Sequence, residues 1–313
     1  MLYEDIIVFI ISFFVLIKSS DYAMKYSHKI GLELKLPDFI ISFFIVAFIS
    51  VLPELSISII SAINKQPQFG LGTLLGATVA DLTLVFGIVS LFSNNGIKIR
   101  SNIIMKNLPY LFLLILPFIL GHDGNFTRME GFMLVFSGIL FYFAIFIQSN
   151  FFRNRDRIKN KNILKHTVFL IISLTFLLLS SKYVVNFGLR IAKKINVPTE
   201  IISLTIVSVG VCLPELLFSI KSVKEKFESL AIGDIFGIVI IDSTITLGII
   251  SLITPFEFNP IIIYIAGTAI IVASIILILF FKTDRTLSKT EGIFLILFYI
   301  IYIIIQFFGN KIL

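Results

Sequence analysis

Four acidic residues lie in stretches of the chain that are otherwise apolar, and together they could form a cation site. Glu54 and Glu215 each follow a proline in the tetrapeptide Leu-Pro-Glu-Leu, which occurs twice in the 313 residues. Asp81 and Asp242 each lie about half-way through the next apolar stretch. A charged side chain in the hydrocarbon core of a membrane is costly, so such residues usually mark an ion pathway.

The two prolines predict how the glutamates are presented. Proline lacks a backbone N–H and clashes with the preceding helical turn, so each tetrapeptide predicts a break in its helix. Four carboxylates cannot all stay ionised together in a medium of low dielectric without cations or protons. Carboxylates and freed backbone carbonyls suit a hard divalent cation, in particular Ca2+. Broken helices with an acidic residue near the membrane midplane are typical of the ion sites of secondary transporters.

The composition predicts an all-α polytopic membrane protein. Hydrophobic residues make up 57% of the sequence, and the mean hydropathy is +1.02, which excludes an ordinary soluble domain. The N-terminus is acidic, so we interpret it as part of the first membrane span and not as a signal peptide. Cys212 is the single cysteine, which excludes an internal disulfide. Ten transmembrane helices are predicted, near residues 3–24, 38–63, 69–93, 105–121, 129–149, 164–186, 199–221, 227–254, 259–281 and 290–308.

The basic residues predict the orientation in the membrane. Loops that follow the odd-numbered predicted helices hold 19 of the 26 lysines and arginines. Because cytoplasmic loops are enriched in these residues, we expect these loops in the cytoplasm and both termini outside. The net charge of +7 thus reflects topology, and we expect no nucleic-acid partner. The basic segment 151–165 is predicted to be a solvated cytoplasmic linker, with a regulatory or lipid-binding role as the alternative.

The two halves of the sequence repeat each other. An offset of 161 residues superimposes Glu54 on Glu215 and Asp81 on Asp242, without a gap over about 70 residues, which indicates a duplication. Five predicted helices per half is an odd number, so the second half enters the membrane from the opposite face and the repeats are inverted. The predicted units are residues 1–150, with the repeated motif at 38–93, and residues 166–313, with the motif at 199–254.

The repeated pattern resembles the calcium/cation antiporter superfamily, the sodium/calcium exchangers, of prokaryotic type. Each repeat of that family carries Gly-Thr-Ser-Leu-Pro-Glu, then Gly-Asn-x-x-Gly-Ser, then Asn or Asp, and the resemblance covers essentially the whole chain. It implies a sodium/calcium exchanger-like fold and a secondary active antiporter of the cell membrane that exchanges Ca2+ for Na+, not an enzyme. Ca2+ and Na+, or H+, are then transported ions, and no cofactor is implied. The expected partners are the lipid bilayer and small cations, with the protein a monomer or weak oligomer.

The resemblance also assigns the metal site. Glu54 and Glu215 are implied as the central cation ligands, and Asp81 and Asp242 as the residues that complete the ring. The family also uses backbone carbonyls about one turn before the glutamates. The remaining assignments are the carbonyls of Ala47 and Ser208; Ser50, at a hydroxyl position of the family; Asp234, in the site or facing a loop-side water cavity; Cys212, a small packing residue or a soft ligand; Thr73; and, as packing residues, Gly72, Gly76, Gly233 and Gly237.

The chain departs from the family pattern at several hydroxyl and amide positions. Ser50-Val51 and Val211-Cys212 replace Thr-Ser, and Thr73 and Asp234 replace asparagine. Fewer hydroxyls and more titratable carboxylates would weaken Na+ coupling. Two alternatives therefore stay open on the sequence: a Ca2+ exchanger driven by H+ or another cation, and a channel-like relative without coupling.

An enzymatic alternative is an intramembrane aspartyl protease, which needs two aspartates on neighbouring helices. Gly233-Asp234 resembles the Gly-Asp element of such proteases, but the sequence has no Tyr-Asp partner and no Pro-Ala-Leu element. A protease would also leave the duplicated glutamates unexplained. The histidines His28, His122 and His166 do not cluster, so we expect no metal role for them.

Overall fold

The computed structural model describes residues 2–33, 46–93, 96–98, 108–148, 162–195 and 197–312, and nearly all of them are helical. The α-helices are α1 Leu2–Glu33, α2 Ala47–Ser50, α3 Leu52–Ile63, α4 Pro67–Ala80, α5 Phe86–Phe92, α6 Leu116–Leu120, α7 Arg128–Gln148, α8 Ile163–Ile195, α9 Thr199–Ile202, α10 Ser208–Val211, α11 Leu213–Lys224, α12 Glu228–Ile240, α13 Leu247–Ile253, α14 Pro260–Asp284 and α15 Lys289–Ile312. Turns of π-helix at Asp81–Val85, Ser203–Val207 and Ile241–Thr246 join α4 to α5, α9 to α10 and α12 to α13. Turns of 3-10 helix at Leu108–Ile115 and Gly121–Asp123 flank α6.

Eight helical segments in these described ranges are long and apolar enough to cross a membrane. They are Leu2–Gly31, Pro67–Phe92, Arg128–Ile147, Ile163–Ile195, Thr199–Lys224, Glu228–Ile253, Pro260–Lys282 and Lys289–Phe307. The protein is therefore a mostly helical, polytopic membrane protein.

The other two predicted spans are described only in part. Shorter apolar helices at Leu52–Ile63 and Phe112–Asp123 overlap the predicted spans 38–63 and 105–121. Residues 38–45 and 105–107 of these spans lie outside the described ranges. The number of ten crossing helices therefore stays a prediction.

The first helix of the structure is longer than the first predicted span. The sequence predicts a helix near 3–24, but α1 continues to Glu33 and has 32 residues. At 1.5 Å per residue such a helix is about 48 Å long, more than the roughly 30 Å of a hydrocarbon core. Lys25 and Lys29 lie on the added turns, where the ammonium groups stack over Tyr22 and Tyr26. The helix thus continues beyond the end of its apolar stretch.

The second half of the chain repeats the element boundaries of the first half at the same offset that relates the sequences. Helix α11 corresponds to α3, and α13 corresponds to α5. Turn residues correspond as well: Lys65 and Lys226 have φ angles of 59° and 66°, and Gly124 and Arg285 have φ angles of 80° and 53°. The duplication in the sequence is therefore also a duplication of local backbone structure.

Two short antiparallel sheets join the halves. Strand β1 Ile97–Lys98 pairs with β4 Thr286–Leu287, and strand β2 Asn125–Phe126 pairs with β3 Phe256–Glu257. In each sheet one strand comes from residues 1–150 and the other from residues 166–313. The backbone hydrogen bonds of both sheets therefore connect the two halves of the chain.

Glycines bring helices of the two halves into close contact. A Cβ atom on Gly87 of α5 would lie 2.7 Å from the carbonyl oxygen of Gly292 on α15. A Cβ atom on Gly248 of α13 would lie 2.6 Å from the carbonyl oxygen of Gly131 on α7. The repeat offset relates these two contacts to each other, since it places Gly87 on Gly248 and Gly131 on Gly292. Small residues allow such close approach of membrane helices.

The centre of the molecule is formed by α4–α5 and α12–α13, which are the most buried of the eight candidate spans. The long helices α1, α7, α8 and α15 lie at the periphery and expose large apolar side chains, including Phe14, Phe143 and Phe176. Because lipid tails are apolar, such an outward surface is expected of a membrane protein. Asp81 and Asp242 lie on these central segments, and Glu54 and Glu215 lie on α3 and α11.

Candidate cation-binding site

Both predicted helix breaks are present, directly before the glutamates. Helix α2 ends at Ser50 and α3 begins at Leu52, and Val51 between them has φ −70° and ψ −8°. The same break occurs at Cys212, with φ −75° and ψ −6°, between α10 and α11. Glu54 and Glu215 lie in the first turn of the following helix, and both side chains are fully buried. The positive end of a helix dipole thus lies at each carboxylate.

The two aspartates lie at π-helical turns. Asp81 begins the turn Asp81–Val85, and Asp242 is the second residue of the turn Ile241–Thr246. Both carboxylates are buried. Such turns frequently occur at functional sites, because they change the direction of side chains within a continuing helix.

The four carboxylates lie in one buried region between the halves. Glu54 is in electrostatic interaction with Asp242 and Asp81, and Glu215 is in electrostatic interaction with Glu54 and Asp81. All eight carboxylate oxygens lack a hydrogen-bond partner among the described residues. Unpartnered buried carboxylates are costly, so the geometry favours occupancy by cations or protons.

The side chains do not form a preformed chelate. Within the described ranges, no group of three or more His, Cys, Asp and Glu side chains has the geometry to hold a metal ion. The carbonyls of Ala47 and Ser208 each accept a helical hydrogen bond, from the N–H groups of Val51 at 3.1 Å and Cys212 at 3.3 Å. Each carbonyl oxygen keeps a second lone pair for a cation. A cation would therefore have to draw the ligands inwards.

Asp234 belongs to the same buried region. Its Oδ1 atom accepts a hydrogen bond of 3.1 Å from Ser50 Oγ, whereas Oδ2 has no partner among the described residues. Asp234 also interacts electrostatically with Glu54 and Glu215. The side chain is fully buried, so it faces the interior rather than a water cavity at the loop.

Thr73 occupies the position in the first half that corresponds to Asp234. Its hydroxyl is buried and donates a hydrogen bond of 3.0 Å to the carbonyl of Phe69 in its own helix. Cys212 is buried as well, with Sγ 3.8 Å from the carbonyl oxygen of Ala77, and it is an electrostatic neighbour of Asp81 and Glu215. The thiol therefore borders the acidic region and also packs between helices.

The predicted packing role of the glycines is visible on α4. A Cβ atom on Gly72 would lie 2.7 Å from the carbonyl oxygen of Glu200, and one on Gly76 would lie 2.6 Å from Ser208 Oγ. The glycines thus allow α4 to approach the segment α9–α10 of the other half. Gly233 and Gly237 are buried on α12.

Two tyrosines at the site were missed by the sequence analysis. Tyr142 on α7 donates a hydrogen bond of 2.8 Å to the carbonyl of Gly237 and interacts with Asp234 and Asp242. Tyr299 on α15 lies beside Cys212 and Asp81. A phenol in the middle of an apolar span was the signal, because a buried tyrosine hydroxyl usually needs a polar neighbour.

The histidines lie away from the acidic region. His122 is exposed on a turn, with Nδ1 3.0 Å from the carbonyl oxygen of Ile119. His166, at the start of α8, lies against Glu33. The side chain of His28 is outside the described part of the structure.

Broken helices from two repeated halves, with unpartnered acids buried between them, define a polytopic membrane protein with a candidate cation centre. Residues 5–148 and 165–308 match the family described as sodium/calcium exchanger protein. Because these ranges cover most of the chain, the protein belongs to the sodium/calcium exchanger family.

Several individual proteins are similar to this chain over most of its length. The sodium/calcium exchanger MaX1 of Methanosarcina acetivorans is 23% identical, over 98% of this chain and 100% of the relative. The putative antiporter CaxA of Alkalimonas amylolytica is 28% identical, over 77% of this chain and 78% of the relative. A solved structure of the sodium-calcium exchanger NCX_Mj, soaked with Na+ and Sr2+, has a TM-score of 0.74 and 24% identity, with 97% of this chain and 99% of that chain covered. At that identity the structural likeness establishes the fold.

Proposed function

We propose that this protein is a secondary active antiporter that exchanges Ca2+ for Na+ across the cell membrane by alternating access. The observation that carries the proposal is the buried group of carboxylates from both halves, whose oxygens lack partners among the described residues. Family membership and the relatives that are named exchangers support the same reaction. The H+-driven and channel-like alternatives are not favoured by these relationships.

The proposed fold has ten transmembrane helices in two inverted five-helix repeats. The repeats are residues 1–150, with the motif 38–93, and residues 166–313, with the motif 199–254, and the basic linker 151–165 joins them. The matching element boundaries and the two sheets between the halves support this division. The cation site then lies at the repeat interface near the membrane midplane, as in other inverted-repeat transporters.

The proposed Ca2+ ligands are carboxylates and carbonyls from both repeats. Glu54 and Glu215 are the central ligands, since each lies at a helix break and both are fully buried. Asp81 and Asp242 complete the ring, and the hydroxyl and carbonyl oxygens of Ser50, Ala47 and Ser208 supply neutral ligands. Asp234, Cys212 and Thr73 border this group and are further candidates for the Na+ positions.

Charge balance explains why exchange is coupled. The region holds five buried carboxylates, Glu54, Asp81, Glu215, Asp234 and Asp242. One Ca2+ neutralises two negative charges, and the empty site has none of that compensation. Closing an empty site into a low-dielectric interior therefore costs much more than closing a filled one. The site returns only when Na+ replaces Ca2+, which gives exchange rather than leak.

Helices α1 and α8 are the proposed moving part. They pack against each other at the edge of the molecule and cross the membrane with little charge along their apolar length. The central segments α4–α5 and α12–α13 are packed through glycines and form the fixed part. Sliding of α1 and α8 across this core would open the site to one side at a time.

The proposed orientation places both termini outside and the basic linker 151–165 in the cytoplasm. The excess of lysines and arginines in the loops that follow the odd-numbered predicted helices supports this orientation. The bilayer and small cations are the proposed partners, and Ca2+ and Na+ are substrates rather than cofactors. A monomer or weak oligomer is proposed.

Uptake of 45Ca2+ into proteoliposomes tests the proposed function. Na+, H+ and K+ gradients are imposed one at a time with the membrane potential clamped at zero, and a membrane potential is imposed without any of these gradients in a separate series. We expect an outward Na+ gradient to drive 45Ca2+ uptake, and we expect no uptake without this gradient. Uptake that follows H+ alone would replace Na+ as the counter-ion, and uptake that follows voltage alone would overturn the antiport proposal.

A further inference from the structure

Ion pairs join α1 and α8 at both ends of this helix pair. Near the start of α1, Asp5 Oδ2 lies 2.6 Å from Lys194 Nζ, which is in the last turn of α8. Near the end of α1, Glu33 Oε1 lies 3.1 Å from Nδ1 of His166, which is in the first turn of α8. The two helices are therefore antiparallel, and a charged contact is present at each end of their shared length.

The repeat offset relates these two ion pairs to each other. Adding 161 residues takes Asp5 to the position of His166 and Glu33 to the position of Lys194. Both positions are acidic in the first half and basic in the second half. The two contacts are thus equivalent by the internal symmetry of the chain, and they differ in chemistry at one place: lysine is the base at one end and histidine at the other.

This difference matters near neutral pH. A lysine side chain carries its charge near neutral pH, whereas an imidazole carries a charge only when it is protonated. The Asp5–Lys194 pair is therefore permanent, and the Glu33–His166 pair is ionic only when His166 is protonated. Both side chains of the second pair are 16% exposed, so protons from the solvent can reach it.

The charged groups described beside His166 lie on its own helix and on α1. On α8 the adjacent residue is Lys165, which is exposed. On α1, the ring of Tyr26 lies 6.0 Å from the imidazole, and the Lys29 ammonium lies over that same tyrosine ring at 5.4 Å. Elsewhere along α1, Lys221 of α11 and Glu225, the residue directly after α11, line a cavity of about 270 Å³ together with Asp21, Lys25 and Lys29. Glu33 is thus the acid in contact with the imidazole among the described residues.

We propose that Asp5, Lys194, Glu33 and His166 are positioning residues that keep α1 and α8 in register as they move together, and that His166 makes one end of this connection sensitive to protons. The proposal rests on the proposed antiport function, in which α1 and α8 form the moving part. Protonation of His166 strengthens the pair and keeps the helices moving as one body. Deprotonation releases that end, so the exchange rate falls at alkaline pH on the side of the linker 151–165.

The test is Na+-dependent 45Ca2+ uptake by the full-length protein in proteoliposomes at pH 6 and pH 8, each side buffered separately. The variants are His166→Lys, which copies the permanent pair of the other end, and Glu33→Gln, which removes the acid. At pH 8 we expect His166→Lys to exceed the wild-type rate about two- to fivefold, the effect of a partly exposed ion pair, and at pH 6 the two to coincide. Glu33→Gln lacks the pair at any pH, so its rate should equal the wild-type rate at pH 8 and should be lower than the wild-type rate at pH 6.

Protons also compete with Ca2+ at the buried carboxylates. This effect is common to all variants, so it cancels when the exchange rate of each variant is divided by the wild-type rate at the same pH. His122→Gln is the matched control, and its exchange rate should equal the wild-type rate at both pH values. Lys194→His should transfer a similar pH dependence to the opposite side of the membrane. A His166→Lys variant with a pH profile unchanged from the wild type would overturn the proposal. Absence of Na+-dependent uptake by the wild-type protein would instead count against the antiport function.

Discussion

Ser50 Oγ donates a hydrogen bond of 3.1 Å to Asp234 Oδ1, and so a hydroxyl of the first half stabilises a carboxylate of the second half. The two residues are 184 positions apart, and both are fully buried. Ser50 is also the last residue of α2, directly before the break that presents Glu54. One side chain thus connects the helix break of one repeat to an acid of the other.

Removal of this hydroxyl is expected to weaken cation binding. In Ser50→Ala, Asp234 loses its one hydrogen-bond donor among the described residues, so its anionic form is less stable. We expect the Na+ concentration for half-maximal exchange to rise about 10- to 100-fold, which corresponds to the roughly 1.5–3 kcal/mol of a hydrogen bond to a charged group. The measurement is 45Ca2+ uptake against a series of Na+ gradients. Ser50→Thr keeps the hydroxyl and should stay close to the wild type; an equal shift in both variants would contradict the role of the hydrogen bond.

Neutralisation of either buried glutamate should abolish exchange. In Glu54→Gln or Glu215→Gln a central anionic ligand becomes a neutral amide of nearly the same shape. Loss of an outer-shell partner already costs up to about 100-fold at metal sites, so we expect at least that loss of Ca2+ uptake here. Glu257→Gln, an exposed position on β3, is the control and should transport normally. Normal uptake by both buried variants would exclude these glutamates as ligands.

A methyl group at Gly76 should destabilise the protein. The added Cβ atom would lie 2.6 Å from Ser208 Oγ and in contact with the carbonyl oxygen of Leu204. Since backbone atoms cannot move aside easily, Gly76→Ala is expected to cost about 1–3 kcal/mol. The melting temperature in detergent measures this cost. Thr175→Ala, on an exposed part of α8, should leave the melting temperature nearly unchanged, and an unchanged value for Gly76→Ala would show that α4 does not pack this closely.

A disulfide should form across the β1–β4 sheet. Lys98 and Thr286 are Cα partners in this antiparallel pair, and such partners are about 4.5–5.5 Å apart, within the range that a disulfide spans. In the double variant Lys98→Cys, Thr286→Cys, mild oxidation should therefore produce a band of altered mobility on a denaturing gel, reversed by reductant. Lys98→Cys with Glu257→Cys places the thiols in different sheets and should give no such band. A cross-link in the control alone would show that the strands pair differently.

The features that local chemistry determines could be predicted from the sequence. Proline at positions 53 and 214 removes a backbone donor, and the helices break at Val51 and Cys212 as expected. The repeat offset superimposes Asp81 on Asp242, and both are buried at equivalent turns. Family membership confirms the recognised resemblance. The cation-binding roles of these residues stay a proposal.

The features that depend on tertiary packing could not be predicted. The bond from Ser50 to Asp234 joins positions far apart in the chain, and no local pattern encodes it. The π-helical turns continue the flanking helices, so helical periodicity does not identify them, and strands of two residues such as Phe256–Glu257 are too short for a periodic signal. The phenol of Tyr142 indicates that its hydroxyl has a polar neighbour, but only the fold identifies that neighbour as the carbonyl of Gly237.

The two sheets have a consequence for biogenesis. Strand β1 at Ile97–Lys98 pairs with Thr286–Leu287, which is synthesised much later. Strand β2 likewise pairs with Phe256–Glu257 of the second half. During synthesis the first half of the chain is therefore expected to emerge with unpaired strands β1 and β2, whose partners β4 and β3 lie in the second half. A chain truncated before β4 would therefore leave the backbone groups of β1 without their partner strand, and an unpaired edge of this kind can pair with another chain.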